Sequence, residues 1–397
     1  MRVERLALLV RSLEGGGMQR NLVNLARALL ARGFALDVLT ADPCGPARGE
    51  LPREARIHSL VCGLGRRGAW ALARCLPEAG ILDRLALRFG PVPRLVGALP
   101  DLLRRLSALA PDALLAFGTQ ANLAALLAAT RLRQRPRIVA SEHNVMSRVR
   151  DLAPRHFRRL YPALARRLYP SADAVVAVSA AVADDLARLT DLPRERIRIV
   201  PNPVDLTAIA AGATVPLPAD WPPDRDFLLA VGRLHWQKGF EAAIAAFARL
   251  AAQNPKLDLV VLGEGPERAR LRHLARAAGL GGRVHLRGFD PNPFRWMARA
   301  RALLLTSRSE GFGHVVVEAL ACGCPIVAFD CPGAIPFILA GGRYGVLVPE
   351  NDVEAMAAAL EVLALSPPER ELLRARARDF ALAPVIDDYC ALLRGVA

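Results

Sequence analysis

A chain of 397 residues, 53% hydrophobic and 23% charged, is too apolar to be disordered and has room for two domains with separate cores. Its formal net charge of +15 draws it to anions, but aromatic residues make up only 5% and no recognition motif or stacking platform stands out, which excludes a nucleic-acid-binding module. No run of about eighteen apolar residues is free of charge, so a transmembrane helix is excluded as well.

The positive excess is confined to one half. Residues 1–200 carry 32 basic and 17 acidic side chains, whereas residues 201–397 carry 21 of each. The first half is therefore expected to meet an anionic surface, either phospholipid headgroups or a polyphosphate ligand. Seven cysteines, at 44, 62, 75, 322, 324, 331 and 390, are odd in number, and Cys322-Gly323-Cys324 is too short for the usual zinc-ligand spacer. They read as reduced structural thiols.

Met1 to Val10 place Glu4 among apolar positions and lead into a glycine turn, so they read as a first strand, 5–10, and not as an export signal. A cytoplasmic location follows. Gly15-Gly16-Gly17 then precedes a helix, 19–32. Glycines allow close backbone approach and a helix start supplies free N–H groups, a combination suited to a phosphate, although a simple tight turn explains three glycines equally well. Further strands are expected at 35–39, 113–117, 137–141, 174–178 and 197–200, with a helix at 180–189. Two stretches break this alternation: 64–110, where Trp70 and Phe89 mix with several arginines, and 148–170, with seven arginines, one aspartate, Phe157, Tyr161 and Tyr169. Basic amphipathic segments of this kind lie in a bilayer interface or form solvated faces over a core, and because both fall in the basic half the bilayer interface is the expected reading.

Pro201, Pro203, Pro216, Pro218, Pro222 and Pro223 mark a linker, 205–224, because proline fits neither helix interiors nor central strands. Beyond it, strands at 227–231, 257–262, 284–287, 302–306, 325–329 and 345–348 alternate with helices near 240–252, 266–278 and 314–322. The fold class is therefore α/β: two doubly wound Rossmann-like parallel-sheet domains, 1–204 and 225–383, facing across a cleft. The last segment, 384–397, is helical over 384–394 and could cross back to the first domain.

Chemistry concentrates in the second half. Of the 53 basic side chains only Lys238 and Lys256 are lysines, and Lys238 stands with Arg233 in Gly232-Arg-Leu-His-Trp-Gln-Lys-Gly239, at the carboxyl end of a strand. A guanidinium and a compact ammonium there suit a diphosphate. Lys256 lies in a plain loop, so the survival of a lysine is not by itself functional. Glu310 and Glu318 bracket Gly311-Phe-Gly-His-Val-Val-Val317. The amides near Gly313, His314 and Val315, at a helix start, can receive diphosphate oxygens; Glu318, one turn in, can reach a ribose, and Glu310 can face a sugar. Asp224-Arg225-Asp226 has the spacing of a metal-binding acidic pair but reads as a linker turn, so no metal is expected.

Val200-Pro-Asn-Pro-Val-Asp205, Gly232-Arg-Leu234, Gln237-Lys-Gly-Phe240, Gly263-Glu-Gly-Pro266 and Ser307-Arg-Ser-Glu-Gly-Phe-Gly-His-Val-Val-Val-Glu-Ala-Leu-Ala-Cys-Gly323 together resemble family 4 of the retaining glycosyltransferases. The resemblance is densest over 200–352 and extends to Gly15-Gly-Gly-Met-Gln19 and Ser141-Glu-His-Asn144. It implies the GT-B fold and a nucleotide-sugar donor used as substrate, with no metal and no cofactor. Carried to this sequence, it gives Arg233 and Lys238 the diphosphate, Glu318 the ribose, Glu310 the donor-sugar hydroxyls and His143 an approach to that sugar from the first domain. Glu310, His143, Arg233 and Lys238 form the expected catalytic set; Gly16, Gly17, Phe289, Gly313, His314 and Val315 add donor contacts, Phe289 beside the nucleobase. At Ala334-Ile335-Pro336-Phe337-Ile338 the chain lacks the glutamate that relatives commonly carry.

The expected function is transfer of a sugar, with a UDP-sugar as the expected donor, to a lipid-linked or polysaccharide acceptor at the cytoplasmic membrane face, in exopolysaccharide, lipopolysaccharide or glycan biosynthesis. The alternatives are a sugar-nucleotide epimerase or phosphorylase of the same fold, and an inactive transferase-like binding module.

Overall fold

The computed structural model describes residues 5–14, 16–62, 93–148 and 155–396. The chain divides into two compact units, Met1–Pro203 with Ala383–Ala397, and Val204–Leu382.

The first unit is built on a seven-stranded sheet: β1 (Arg5–Ser12), β2 (Ala35–Asp42), β3 (Arg56–Ser59), β4 (Ala113–Phe117), β5 (Arg137–Glu142), β6 (Ala174–Ala177) and β7 (Ile197–Ile199), in the order β3-β2-β1-β4-β5-β6-β7. In the second unit β8 (Asp226–Val231), β9 (Leu257–Leu262), β10 (Val284–Gly288), β11 (Ala302–Leu305), β12 (Ile326–Phe329) and β13 (Val346–Val348) follow the order β10-β9-β8-β11-β12-β13. Every strand pairing is parallel.

Leu6 to Val10 and Ala113 to Phe117 are almost wholly removed from solvent, as continuous apolar strands must be when helices cover both faces of a sheet. The helix Gly17–Ala31 buries Leu22, Val23, Leu25, Ala26 and Leu29, the spacing of one helical face. In the second unit the helix Phe240–Ala251 buries Phe240, Ala243, Ile244, Phe247 and Leu250 in a core shared with Leu259, Val261 and Leu304.

Three features depart from the sequence expectation. β3 was not anticipated: Arg56-Ile-His-Ser is a four-residue edge strand with half of its residues exposed, too short and too polar to show as an apolar run. Residues 205–224 are not a plain linker. Asp205 accepts from the Ala208 amide and caps a helix, Leu206–Thr214, which ends before the first proline of that stretch, Pro216. Trp221 is buried with its ring edge-on to Phe227, His285 and Trp296. Finally, much of the two basic segments, including Trp70, Phe89 and the side chain of Phe157, lies outside what the structure describes. Where they are described, the apolar residues face inward: Leu99, Leu102 and Leu106 are buried, as are Tyr161, Leu164, Leu168 and Tyr169, while Arg166 and Arg167 are exposed. That part is a solvated face over a core.

The two sheets repeat one polar device. Asp37 of β2 is fully buried and meets Arg5 Nε at 3.4 Å, Arg56 Nε at 3.1 Å and His58 Nε2 at 2.8 Å. Asp258 of β9 is equally enclosed, with Arg225 Nε at 2.7 Å, Arg283 Nε at 3.5 Å and His285 Nε2 at 2.9 Å. Each aspartate sits near the amino end of its strand, with its arginine and histidine on the neighbouring edge strand or just before it. Asp226 is engaged by Arg301 at 2.8 Å, so the Asp224-Arg225-Asp226 turn is held by arginines.

Candidate active site

In each sheet the strand order reverses beside the first strand, between β1 and β4 and between β8 and β11. Open parallel sheets bind ligands outside the carboxyl ends of their strands at such a reversal.

In the second unit, β8 runs out into Gly232-Arg233 and β11 into Thr306-Ser307. The loops are tied together by backbone and side chain. Arg308 N donates to Gln237 O at 2.9 Å, Thr306 Oγ1 to Lys238 O at 2.9 Å and Gln237 Nε2 to Ser309 O at 3.1 Å. Gly239, at φ +60°, is required by this closure, since a Cβ there would lie 2.2 Å from Thr306 O. The result is that Lys238 Nζ lies 2.5 Å from Glu310 Oε1, and Ser307 Oγ donates to the same oxygen at 2.6 Å. Lys238 keeps about a quarter of its side chain in solvent while Glu310 is largely buried. Glu310 is anchored from behind: its amide donates to Pro332 O at 3.0 Å, and it bridges to Gly333.

The helix His314–Cys322 starts four residues after Glu310. Its N-cap is Gly313 in the left-handed region, and no side chain caps it. Helix starts carry amides without intrahelical acceptors and the positive end of the dipole. Glu318 and His314 are buried on this helix, Val315 is half-buried, and Arg233 is exposed beyond β8. Phe289, just past β10, is exposed. The structure thus brings Lys238 and Glu310 into contact and sets the helix start beside them in sequence; Phe289 takes no part in that contact. At the departure from the family pattern, the short helix Ile335–Ile338 leaves Phe337 exposed beneath the Arg376 guanidinium, 5.3 Å from its ring centroid.

In the first unit, Gly16 lies at φ 130° as the N-cap of helix Gly17–Ala31, directly after β1, and both glycines are exposed. His143 leaves β5 and is buried. Its Nε2 lies 3.0 Å from Ser141 Oγ, which in turn lies 3.2 Å from Tyr389 OH. Burial pushes the His143 pKa down to about 3 against a smaller opposing effect of the Asn202 side chain, so the ring is neutral.

Sequence reasoning missed Glu142. It is completely buried and accepts four hydrogen bonds: Thr119 Oγ1 at 3.0 Å and Tyr169 OH at 2.9 Å on Oε2, and the amides of His143 at 3.1 Å and Asn144 at 3.3 Å on Oε1. Burial raises its pKa to about 7, with these four donors pulling the other way. Only its place inside Ser141-Glu-His-Asn144 marked it. Ser307, Gln237 and Tyr389 were missed as well, because their importance comes from partners 3, 72 and 248 residues away. Six cysteines fall among the described residues: Cys44 and Cys62 are exposed, and Cys322, Cys324, Cys331 and Cys390 are buried as free thiols. Burial pushes Cys322, Cys324 and Cys331 up to about 12, so they are not nucleophiles.

Two family models match the chain: Glycosyltransferase Family 4 over residues 15–208 and Glycosyl transferases group 1 over residues 218–380. An N-acetylgalactosamine-N,N'-diacetylbacillosaminyl-diphospho-undecaprenol 4-alpha-N-acetylgalactosaminyltransferase of Campylobacter jejuni is 30% identical over 54% of this chain and 57% of its own length. The lipopolysaccharide core biosynthesis glycosyltransferase LpsE of Rhizobium meliloti is 30% identical over 52% of this chain and 60% of its length. The matched stretch thus spans little more than half of these relatives. HepE of Anabaena, solved in complex with UDP and glucose, superposes with a TM-score of 0.74 at 19% identity, covering 99% of this chain and 100% of that one. That likeness is one of fold. With the two models occupying adjoining stretches and one sheet each, the chain belongs to the group 1 and family 4 glycosyltransferases of the GT-B fold.

Proposed function

We propose that the protein transfers a sugar from a nucleoside diphosphate donor, with uridine as the base, to a lipid-linked or polysaccharide acceptor, with retention of anomeric configuration and without a metal. The observation that carries this reading is the Lys238–Glu310 pair at the strand reversal of the second unit. A cation already held by a carboxylate can be exchanged: an incoming diphosphate takes the ammonium, and the freed Glu310 oxygens accept from sugar hydroxyls. Arg233 and the helix start at His314 add positive potential where charge develops on the leaving diphosphate, which is electrostatic catalysis. Glu318 is assigned the ribose, His143 a hydrogen bond to substrate, and Phe289 the base. Gly313, His314 and Val315 are assigned the diphosphate oxygens, and Gly16 and Gly17 a supporting backbone contact. The activities of the two relatives and the UDP bound by HepE favour this donor and acceptor class.

Attack from the face of the departing diphosphate, with a donor phosphate oxygen taking the acceptor proton, requires no protein nucleophile and gives retention. The basic first half supports docking at an anionic membrane surface. Among the described residues no helix is long and apolar enough to cross a membrane.

The test is a panel of nucleotide sugars with membrane extract as acceptor, with and without chelator, scored for released nucleotide and for the anomer formed. Release of UDP from one donor, dependent on acceptor and unaffected by chelator, with a retained product, is the expected result. Isomerisation of the free donor would make it an epimerase, a requirement for inorganic phosphate a phosphorylase, and failure to bind any donor a binding module.

A further inference from the structure

His143, Ser141 and Tyr389 form a buried chain of three polar groups inside the first unit. Ser141 and Tyr389 are fully enclosed and His143 is 5% exposed. Tyr389 comes from the last helix, Leu382–Arg394, while Ser141 lies near the end of β5 and His143 directly follows that strand. The separations are 3.0 Å from His143 Nε2 to Ser141 Oγ and 3.2 Å from Ser141 Oγ to Tyr389 OH. Two hydrogens, one on each hydroxyl, and one possible hydrogen on Nε2 must be distributed along it.

Only one arrangement gives every hydrogen an acceptor. If Tyr389 donates to Ser141, Ser141 can donate to Nε2, and the ring proton must sit on Nδ1. In the reverse order Nε2–H donates to Ser141 and Ser141 to Tyr389, which leaves the buried phenolic hydrogen without an acceptor among the described residues, the costlier arrangement. Tyr389 cannot escape by ionising, because burial drives its pKa up to about 12. Nδ1 is itself buried and makes no hydrogen bond among the described residues, and Asn202 Oδ1 is in the same state. Asn202 acts on His143 in the sense of an acceptor that favours a ring N–H, which the Nδ1–H form supplies.

We propose that Tyr389 is a positioning residue that acts through Ser141 to fix His143 as the Nδ1–H tautomer, in which Nε2 accepts and Nδ1 donates. The last helix thereby determines which face of a ring just past β5 donates. Because His143 stays uncharged, its contribution is directional donation and not proton transfer, and it does not titrate across the neutral range. The link to turnover rests on the transferase reading above, whereas the tautomer does not.

The experiment is nitrogen NMR on the full chain labelled with 15N-histidine, in which His143 is identified among the seven histidines by the spectrum of H143Q. Wild-type protein is expected to show a protonated Nδ1 and a bare Nε2 at His143, unchanged from pH 6 to 8. Tyr389→Phe removes the hydroxyl that donates to Ser141 and is expected to let the Nε2–H form appear, with kcat falling about tenfold, as for loss of one neutral hydrogen bond, and donor KM little altered. Ser141→Ala is expected to do the same more completely, and a thermal midpoint near that of wild type for either variant separates the effect from unfolding. A wild-type spectrum showing Nε2–H would overturn the proposal, as would an unaltered His143 spectrum in folded Y389F. If the spectra behave as described but no nucleotide sugar turns over, the relay stands and the transferase reading fails.

Discussion

Lys238 and Glu310, 72 residues apart, meet at 2.5 Å, with Ser307 closing on the same carboxylate oxygen. On the proposed reading, the ammonium is therefore positioned before a ligand arrives, and its charge is neutralised meanwhile by the carboxylate that the ligand would displace. Lys238→Ala is expected to weaken UDP binding about 10- to 100-fold, the worth of a charge-assisted contact, and to lower kcat by about 100- to 1000-fold. Glu310→Gln should leave UDP binding within a few-fold of wild type while abolishing most turnover. Calorimetry with UDP, paired with steady-state rates, separates the two roles. Equal losses of UDP affinity in both variants would show that the pair acts as a structural tie.

Gly333 is the strictest steric position at this site. Its φ is +136°, and a Cβ would fall 1.4 Å from Glu310 O. Gly333→Ala must therefore move the Glu310 backbone or unfold the loop. A loss of about 3 kcal/mol or more in denaturant unfolding is expected, together with loss of activity. Gly279, at φ +71° with nothing near its missing Cβ, is the control: Gly279→Ala should cost only about 1 kcal/mol and leave activity intact.

Glu142 gives stability an unusual slope. Its folded pKa is raised to about 7, from 4.5, by burial. Between those values the folded state holds a proton that the unfolded state has lost, so stability contributed at this site falls as pH rises from 4.5 to 7 and is constant above. The amount is about 3 kcal/mol. Chemical unfolding of Glu142→Gln across that window should be flatter than wild type by this margin, and identical slopes would show that the four donors hold Glu142 ionised throughout.

Asp258 has the opposite sign. Burial alone would raise its pKa, but the hydrogen bonds from Arg225 and His285 prevail and leave it below its ordinary value. The stability it provides is present above the unfolded carboxyl pKa and is lost as pH falls through the folded one. Asp258→Asn is expected to lower neutral-pH stability by about 3 kcal/mol and to weaken the acid sensitivity of unfolding below about pH 4. Melting curves at pH 3.5 and 7 decide it.

The charge asymmetry predicts salt-sensitive binding to anionic vesicles. Cosedimentation with phosphatidylglycerol vesicles at low salt, its loss at about 1 M salt and its absence with phosphatidylcholine are expected. Binding insensitive to salt would point to apolar insertion instead, which Tyr161 and Tyr169 do not support because they are buried.

Most of the parallel architecture could be read from the chain because central strands of such sheets are unbroken apolar runs, and Leu6–Val10, Leu259–Leu262 and Ala302–Leu305 are of that kind. β3 could not, since an edge strand needs only one apolar position, Ile57, to hold its place. The helix 206–214 was hidden by the prolines that surround it.

At the candidate site, residues with distinctive chemistry were legible, Lys238 by its rarity and Glu310 and Glu318 by their flanking of a glycine turn, and the structure brings Lys238 and Glu310 into contact. Residues that act through an assembled neighbour were not legible. Tyr389 reads as one apolar position of an amphipathic helix, and nothing local distinguishes it from Ile386 or Leu393, which are buried beside it on the same helix. Glu142 reads as a polar end to a strand, and its four donors are gathered only by the fold.

The scarcity of lysine has a practical outcome. Among side chains, an amine-acylating reagent finds only Lys238, whose nitrogen is clasped by Glu310, and Lys256, which stands open in the loop before β9. The ratio of modification at these two amines, read from two peptides by mass spectrometry, reports how tightly the clasp is shut, and Lys256 serves as the internal reference.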